Sequence, residues 1–265
     1  MSVAIFRADN PGPMTLDGTN TIMVGDPARG PVVVIDPGPD DERHLRRVLD
    51  AAGEIAMIIV THRHLDHCAG APTLARWAGC DVLAADPAVR VGERGLVDGE
   101  RIAVPGADLR PLATPGHTSD SYSIVINGED GVNRLATGDM VLGRGTTVIM
   151  HPDGDVGSYL ASLDTMITLV REQAIAEILP GHGPVVTDPA GVLAYYREHR
   201  LERLDQVRAA VAAGARTPAE VVRAVYTEID EAVRPAAELS VAAQLAYLAS
   251  RTGESGRSSA NPTHS

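Results

Sequence analysis

The stretch that decides the fold is residues 55–67, which reads IAMIIVTHRHLDH. Its first six residues form an apolar run rich in β-branched side chains, which is typical of a buried strand. Side chains that can bind a metal follow at once, at His62, His64, Asp66 and His67. They cannot serve the core, because burying them without partners would be costly. Imidazole and carboxylate groups are good ligands for zinc and similar divalent ions, so this stretch predicts a metal site at the end of a strand.

The spacing of these ligands predicts how they divide between ions. Alternation along an extended chain points His62 and His64 in the same direction. The chain then turns, which would let Asp66 and His67 face a second ion beside the first. A chance meeting of surface polar residues is the alternative, and the density of ligands disfavours it.

Three later segments repeat a pattern of strand, glycine and one ligand-type residue. They are Thr114-Pro115-Gly116-His117-Thr118, Thr137-Gly138-Asp139 and Leu179-Pro180-Gly181-His182-Gly183. Each is weak alone, because a histidine after Pro-Gly is commonly a turn residue. Together with residues 62–67, they predict that His117, Asp139 and His182 gather at one edge of a sheet.

The first 190 residues alternate short apolar runs with helical patterns, which predicts a layered α/β domain. The predicted strands are residues 21–24, 32–36, 55–61, 81–84, 109–113, 121–126, 134–136 and 174–179. The predicted helices are residues 41–52, 69–78 and 157–171.

The rest of the chain differs in composition. Residues 191–251 form a predicted helical module, with helices over 191–213, 221–226 and 239–251. Its second helix is preceded by Thr217-Pro218-Ala219-Glu220, which places an N-cap, a proline and an acid at the positions that start helices. The Ser- and Gly-rich residues 252–265 are predicted to be a disordered tail. We therefore expect domains at 1–190 and 191–251.

Composition limits the partners. Apolar residues are 44% of the chain, enough for a sizeable core, and the net charge is −12. An acidic surface repels polyanions over a Debye length of about 10 Å, which disfavours a general nucleic-acid binder. Neither Cys68 nor Cys80 sits in a CxxC pair, so a disulfide framework is not expected. There is no signal-peptide pattern and no apolar run near the roughly 20 residues of a membrane span. We expect a cytoplasmic protein that does not enter membranes.

The pattern HxHxDH followed by His, Asp and His resembles the metallo-β-lactamase superfamily, from about Asn20 to His182. The resemblance implies an αββα sandwich with two divalent metal ions at one edge, zinc being favoured over manganese or iron. It implies a first metal held by His62, His64 and His117, a second held by Asp66, His67 and His182, and Asp139 bridging both. It further implies that a water between the ions is the nucleophile, with Asp66 and Asp139 as the catalytic carboxylates. Asp36 matches an acid that would support the histidines by hydrogen bonds; an ordinary turn aspartate is the alternative.

A closer resemblance is to the branch named β-lactamase-like protein 2. It rests on residues 138–143, 145–148, 159–163, 180–184 and 195–200, and on the C-terminal module, which is similar to a small winged-helix-like domain. That branch includes endoribonucleases that prefer single strands, which implies phosphodiester hydrolysis of single-stranded RNA. One of Arg144, Arg197 and Arg200 could then bind phosphate, and Tyr159, Tyr195 and Tyr196 could stack on bases.

Other functions stay open to different degrees. Thioester hydrolysis of the glyoxalase II type on a small metabolite would use the same ligands, although the glutathione-binding region of that family has no equivalent here. Weak β-lactamase side activity is compatible with an activated water. A persulfide dioxygenase would need one iron with an open face, which the full ligand set disfavours. A nucleic-acid-binding regulator with a vestigial metal domain would have lost a ligand, and none is missing.

Residues outside the ligand set are assigned lesser roles. His44 and His199 are expected on helix surfaces, whereas His151 could line the substrate cleft. Cys68 is expected to be a small buried residue and Cys80 to be structural. Metal identity, physiological substrate and oligomeric state are left open by the sequence.

Overall fold

The computed structural model describes residues 3–227 and 230–258, and it contains two five-stranded sheets. The first sheet contains, in spatial order, β1 (Val3–Arg7), β2 (Asn20–Val24), β3 (Val32–Ile35), β4 (Ile55–Ile59) and β5 (Asp81–Leu83). The second contains β6 (Ile102–Val104), β7 (Ala107–Ala113), β8 (Tyr122–Gly128), β9 (Asn133–Gly138) and β10 (Ile175–Pro180), with spatial order β10-β9-β8-β7-β6.

The described residues contain seven α-helices, some of which cover the two sheets while the last ones form the C-terminal module. They are α1 (Glu42–Ala52), α2 (Leu65–Cys68), α3 (Ala71–Ala78), α4 (Val156–Glu172), α5 (Pro189–Ala212), α6 (Pro218–Val225) and α7 (Arg234–Ser258). No helix in the described ranges combines the length and apolar character needed to cross a bilayer.

The core has three apolar layers, because alternate residues of each central strand face opposite sides. Val33 and Ile35 of β3 pack between the two sheets with Ile124 of β8. Val32 and Val34 face the opposite way, under α1 and α3. On the second sheet, Val125 packs beneath α4 and α5. The layers are helices, sheet, sheet and helices, which confirms the predicted αββα sandwich.

Parallel pairing brings the ligand loops to the same edge. β4 pairs in parallel with β3, and β10 pairs in parallel with β9. Parallel neighbours end at one edge of a sheet, so the residues after β3 and β4 meet, as do those after β9 and β10. The loops at residues 36, 61–67, 138–139 and 181–182 therefore gather where the sequence pattern predicted.

The structure departs from the sequence-based elements in a few places. β1 and β6 were not predicted, since β1 is only half-buried and β6 has three residues. The capping box at Thr217 and Glu220 is present and starts α6. The final helix begins at Arg234 and extends to Ser258, into the stretch predicted to be a tail, and residues 259–265 lie outside the described residues. α5 begins at Pro189 and packs on the core of the α/β domain, so a domain boundary at residue 190 stays a prediction.

Helices α4 and α5 hold the loop that follows β9. The buried hydroxyl of Tyr196 accepts a hydrogen bond from the Leu142 backbone N–H at 2.9 Å. The Tyr159 hydroxyl donates to the Met140 carbonyl at 2.7 Å, and Arg200 Nη2 donates to the Thr147 carbonyl at 2.8 Å. These bonds join α4 and α5 to the loop that follows β9.

We expect Tyr196→Phe to lower the free energy of unfolding by about 1–3 kcal/mol, because it leaves the buried Leu142 N–H without an acceptor. Urea unfolding measures the loss. Tyr195→Phe is the matched control: Tyr195 is 53% exposed, and its change should stay within about 0.5 kcal/mol. Equal losses in the two variants would contradict a role for the Tyr196 hydroxyl.

Candidate metal centre

The structure brings together all seven ligand-type residues that the sequence singled out. They form two adjoining groups, within each of which the ligand atoms lie within 4.8 Å of one another. The first group is His62, His64, His117 and Asp139, and the second is Asp66, His67 and His182. A short turn separates the groups along residues 62–67, because His64 is still extended whereas Leu65 starts α2.

The glycines before these ligands have a steric reason. A Cβ atom at Gly181 would lie 2.6 Å from Cε1 of His67 and 2.7 Å from Oδ1 of Asp139. A Cβ atom at Gly138 would lie 2.5 Å from Oγ1 of Thr61, and that residue has φ of +48°. The glycines therefore let neighbouring backbones approach closely enough for ligands from different strands to meet.

Four of the five imidazoles are oriented by a bond from the ring nitrogen that faces away from the centre. The partners of Nδ1 are Thr61 Oγ1 for His62 at 3.1 Å, Asp36 Oδ2 for His67 at 2.9 Å, the Val148 carbonyl for His117 at 2.8 Å and the Gly18 carbonyl for His182 at 3.3 Å. Because carbonyls and carboxylates only accept, Nδ1 of His67, His117 and His182 must be the donor. In the neutral ring, Nε2 then presents a lone pair to the centre.

These lone pairs converge in a way that fits a cation. His67 Nε2 and His182 Nε2 are 3.2 Å apart, and two lone pairs cannot bond to each other. His64 Nδ1 lies 3.0 Å from His62 Nε2 and 3.1 Å from His117 Nε2, and a single proton cannot satisfy both contacts. The ligand atoms of these side chains are therefore suited to divalent ions, one in each group.

Asp139 lies between the two groups and fits the same interpretation. Its Oδ1 is buried without a hydrogen-bond partner, 3.4 Å from Nε2 of both His67 and His182. Its Oδ2 is 3.8 Å from Nε2 of His117 in the first group. A carboxylate that reaches both groups with an unsatisfied oxygen has the position expected of a bridging ligand.

The electrostatics of the centre favour positive charge between carboxylates. Burial opposes the ionisation of Asp139, but the charge of His67 and the contacts with His182 hold its pKa well below the usual value. Burial also opposes the charged form of His182, yet Asp139 and Asp66 raise its pKa to about 9. Burial and the neighbouring His67 charge lower the pKa of His62 well below its usual value. The carboxylates of Asp66 and Asp139 therefore favour positive charge among the second group, and a bound divalent ion would supply that charge in place of the protons of His67 and His182.

Asp36 supports the centre from behind. It is 2% exposed and accepts three hydrogen bonds, from Thr61 N and Oγ1 at 2.7 Å each and from His67 Nδ1 at 2.9 Å. Because Thr61 Oγ1 donates to Asp36, it accepts from His62 Nδ1, so one carboxylate orients histidines of both groups. The hydrogen-bonding role that the resemblance implied for Asp36 is the one it has in the structure.

Other expectations about single residues have mixed outcomes. His44 was expected at the surface, which is wrong: it is 4% exposed, its Nε2 is 2.8 Å from Thr21 Oγ1, and burial lowers its pKa to about 4. His199 is half-buried and stacks on Tyr195. His151 is exposed. Cys68 is buried, as expected, and its thiol donates to the Arg63 carbonyl.

A small cavity of about 90 Å³ opens beside His117 and Asp139. Most of its lining is apolar or hydroxyl-bearing and comes from two loops, namely Pro13, Met14, Leu16, Leu142, Gly145, Thr146, Thr147 and Val148, with Arg144 at its edge. Sequence reasoning missed Pro13, Met14 and Leu16, because no ligand-type residue marks them. The Pro11-Gly12-Pro13 turn is the signal that was present in this loop.

We expect Asp36→Asn to weaken Zn²⁺ binding by about 10–100-fold. The amide nitrogen of Asn would present donors to His67 Nδ1 or Thr61 Oγ1, so the His67 ring would lose its fixed orientation. Competition with a chromogenic chelator measures the affinity. Asp40→Asn, at an exposed position of the same turn, is the control and should bind as the wild type does. Wild-type affinity in Asp36→Asn would contradict the orienting role.

The comparisons with known proteins agree with this geometry. Residues 14–182 match the family model described as Metallo-beta-lactamase superfamily, and residues 217–251 match Beta-lactamase associated winged helix domain. The Beta-lactamase-like protein 2 homolog of Drosophila melanogaster is 31% identical over 273 residues, covering 93% of this chain and 87% of that protein. The Atrochrysone carboxyl ACP thioesterase of Aspergillus chevalieri is 32% identical over 247 residues, covering 85% of this chain and 73% of that protein.

A solved structure shows the same architecture. A metallo-beta-lactamase family protein from Thermus thermophilus superposes with a TM-score of 0.77 at 19% identity, covering 95% of this chain and 94% of that one. The family match spans most of the chain and includes all seven ligand-type residues. This chain therefore belongs to the metallo-beta-lactamase superfamily, whose members are generally metal-dependent hydrolases, and its residues 217–251 form a beta-lactamase-associated winged helix domain.

Proposed function

We propose that this hydrolase binds two zinc ions and cleaves small acyl thioesters. In this proposal His62, His64 and His117 would hold the first ion and Asp66, His67 and His182 the second, with Asp139 placed to reach both groups. Two ions are supported by one observation: the structure has two adjoining groups of metal-ligand side chains, and Asp139 lies between them.

The chemistry divides between the ions and the protein. When bound, two divalent ions polarise a carbonyl group and lower the pKa of a coordinated water. Asp139 stays ionised and keeps the two donor groups at a fixed spacing. Asp66 has 27% of its side chain exposed, against 10% for Asp139, so it is the carboxylate nearer to solvent. With Oδ2 against His182, its Oδ1 would accept the proton of the attacking water.

Hydrolysis of the thioester consumes one water molecule. Its hydroxyl would add to the acyl carbon and the C–S bond would break. The proton taken up by Asp66 would pass to the leaving thiolate, which gives a carboxylic acid and a free thiol and restores the Asp66 carboxylate. The cavity beside His117 and Asp139 is small and largely apolar, which suits a short acyl group. A relative named as an ACP thioesterase shares 32% identity with this chain. These two observations favour a thioester among the substrates open to the fold.

Single-stranded RNA is the second candidate, because a β-lactamase-like protein 2 homolog is similar over 93% of this chain. The side chains that the sequence offered for RNA are largely engaged elsewhere. Tyr159 and Tyr196 are at most 1% exposed and cannot stack on a base. Arg144 is paired with Asp17 and Arg197 with Asp164. Of the remaining candidates, Arg200 has no carboxylate partner among the described side chains, and Tyr195 is 53% exposed. The net charge of −12 also opposes the binding of a polyanion. For both reasons we place RNA below a thioester as the candidate substrate.

We expect Asp139→Ala to reduce thioester kcat/KM by at least about 10³-fold, since the carboxylate that reaches both donor groups is removed. The panel is a short-chain acyl thioester, single-stranded RNA and a chromogenic cephalosporin, with metal content measured on the same samples. Asp40→Ala is the control at an exposed acid of the β3–α1 turn.

Each outcome of the panel decides between the candidates. Metal-dependent thioester cleavage that Asp139→Ala loses supports the proposal. Cleavage of RNA without thioester cleavage would replace it with the ribonuclease function. Wild-type turnover by Asp139→Ala would exclude the two-ion mechanism for either substrate.

A further inference from the structure

A second and larger cavity, of about 360 Å³, lies between the α/β domain and the C-terminal helices. It shares Pro13, Met14 and residues 146–148 with the cavity beside His117 and Asp139. Its far wall contains polar and charged side chains of α5 together with Tyr226, and residues of α7 close it. The two cavities therefore form one cleft that runs from the candidate metal centre to the C-terminal module.

Arg200, on α5, lines this second cavity, and its guanidinium group is both buried and without a carboxylate partner among the described side chains. It is the one arginine that is buried among the described residues, with 4% exposure. Its Nη2 donates to the Thr147 carbonyl, whereas its Nε has no hydrogen-bond partner. Among the side chains that the structure describes, no carboxylate forms a salt bridge with it. Its guanidinium carbon lies 5.2 Å from the centre of the Tyr159 ring, and an aromatic face compensates a buried positive charge less than a carboxylate does. A negative group in the cavity would complete the pairing of this charge.

Arg203 lies three residues further along the same face of α5 and lines the same cavity. Its guanidinium carbon stacks 4.4 Å from the centre of the Tyr226 ring, and Nη1 donates to Gln206 at 2.9 Å. Across the described part of the chain it also has no carboxylate partner. By contrast, Arg197 and Arg208, which are on α5 outside the cavity, pair with Asp164 and Asp205.

We propose that this cavity binds an oxyanion, a phosphate or a carboxylate, at the far end of the substrate's thiol arm, while the acyl group occupies the small cavity at the metal centre. Guanidinium groups bind such oxyanions through paired, charge-assisted hydrogen bonds. The inference rests on the proposed thioesterase function and deepens it, because it names the part of the substrate that the C-terminal module recognises.

The test compares one acyl group on thiol arms of different charge. The arms are pantetheine, which is neutral, 4′-phosphopantetheine, which ends in a phosphate, and glutathione, which carries carboxylates. We expect wild-type kcat/KM to be about tenfold or more higher for at least one anionic arm than for pantetheine. Arg203→Met should reduce that ratio to near one, Arg203→Lys should retain part of it, and Arg208→Met should leave it unchanged.

A binding measurement separates this inference from the proposed function. Isothermal titration with free 4′-phosphopantetheine, glutathione and pantetheine needs no turnover. If the wild type binds an anionic arm more tightly than pantetheine and Arg203→Met loses this preference, the oxyanion site is supported, even if no thioester is cleaved. The absence of thioester cleavage would contradict only the proposed function. Which anionic thiol is preferred identifies phosphate or carboxylate.

Two results would overturn the inference. One is equal binding and turnover of the anionic and neutral arms by the wild type. The other is an equal loss on all arms in Arg203→Met, with the fold and metal content intact, which would make Arg203 a structural residue. Thermal unfolding and metal analysis of each variant supply those checks.

Discussion

Four imidazoles are oriented by Nδ1 bonds to fixed groups outside the centre, and those bonds direct the Nε2 atoms at one another. The ring nitrogens of His67 and His182 meet at 3.2 Å, beside a buried and unsatisfied oxygen of Asp139. This arrangement is unfavourable unless a cation lies among the donors. The fold, the loops and the helices that cover them all serve to hold these groups in place.

The supports for that arrangement come from distant parts of the chain. Asp36 follows β3 and orients His67, whereas the Val148 carbonyl, in a loop tied to α5 through Arg200 and Thr147, orients His117. The winged helix domain contacts the same loop, because the His151 N–H donates to the Leu239 carbonyl of α7 at 3.2 Å, and residues of this domain also line the shared cleft. A substrate that contacts the C-terminal module would therefore also contact the loop at residues 146–148, whose Val148 carbonyl orients His117.

Much of this could be predicted from the sequence, because metal ligands have a distinctive chemistry and a fixed spacing. Residues 62–67 and the three glycine-ligand loops indicated all seven residues, and the alternation of strands and helices indicated the sandwich. The buried state of His44 could not be predicted, since its helix position looks amphipathic and its partner Thr21 is on another strand. Met14 and Arg203 were also missed, because an apolar loop residue and a helix arginine gain meaning only when folding places them around one cleft.

The measurement that tests the two-ion centre most directly is anomalous diffraction at the zinc edge from crystals of the zinc-loaded protein. We expect two peaks, one among His62, His64 and His117 and one among Asp66, His67 and His182, with Asp139 in contact with both. A single peak, or peaks away from these residues, would contradict a two-ion centre.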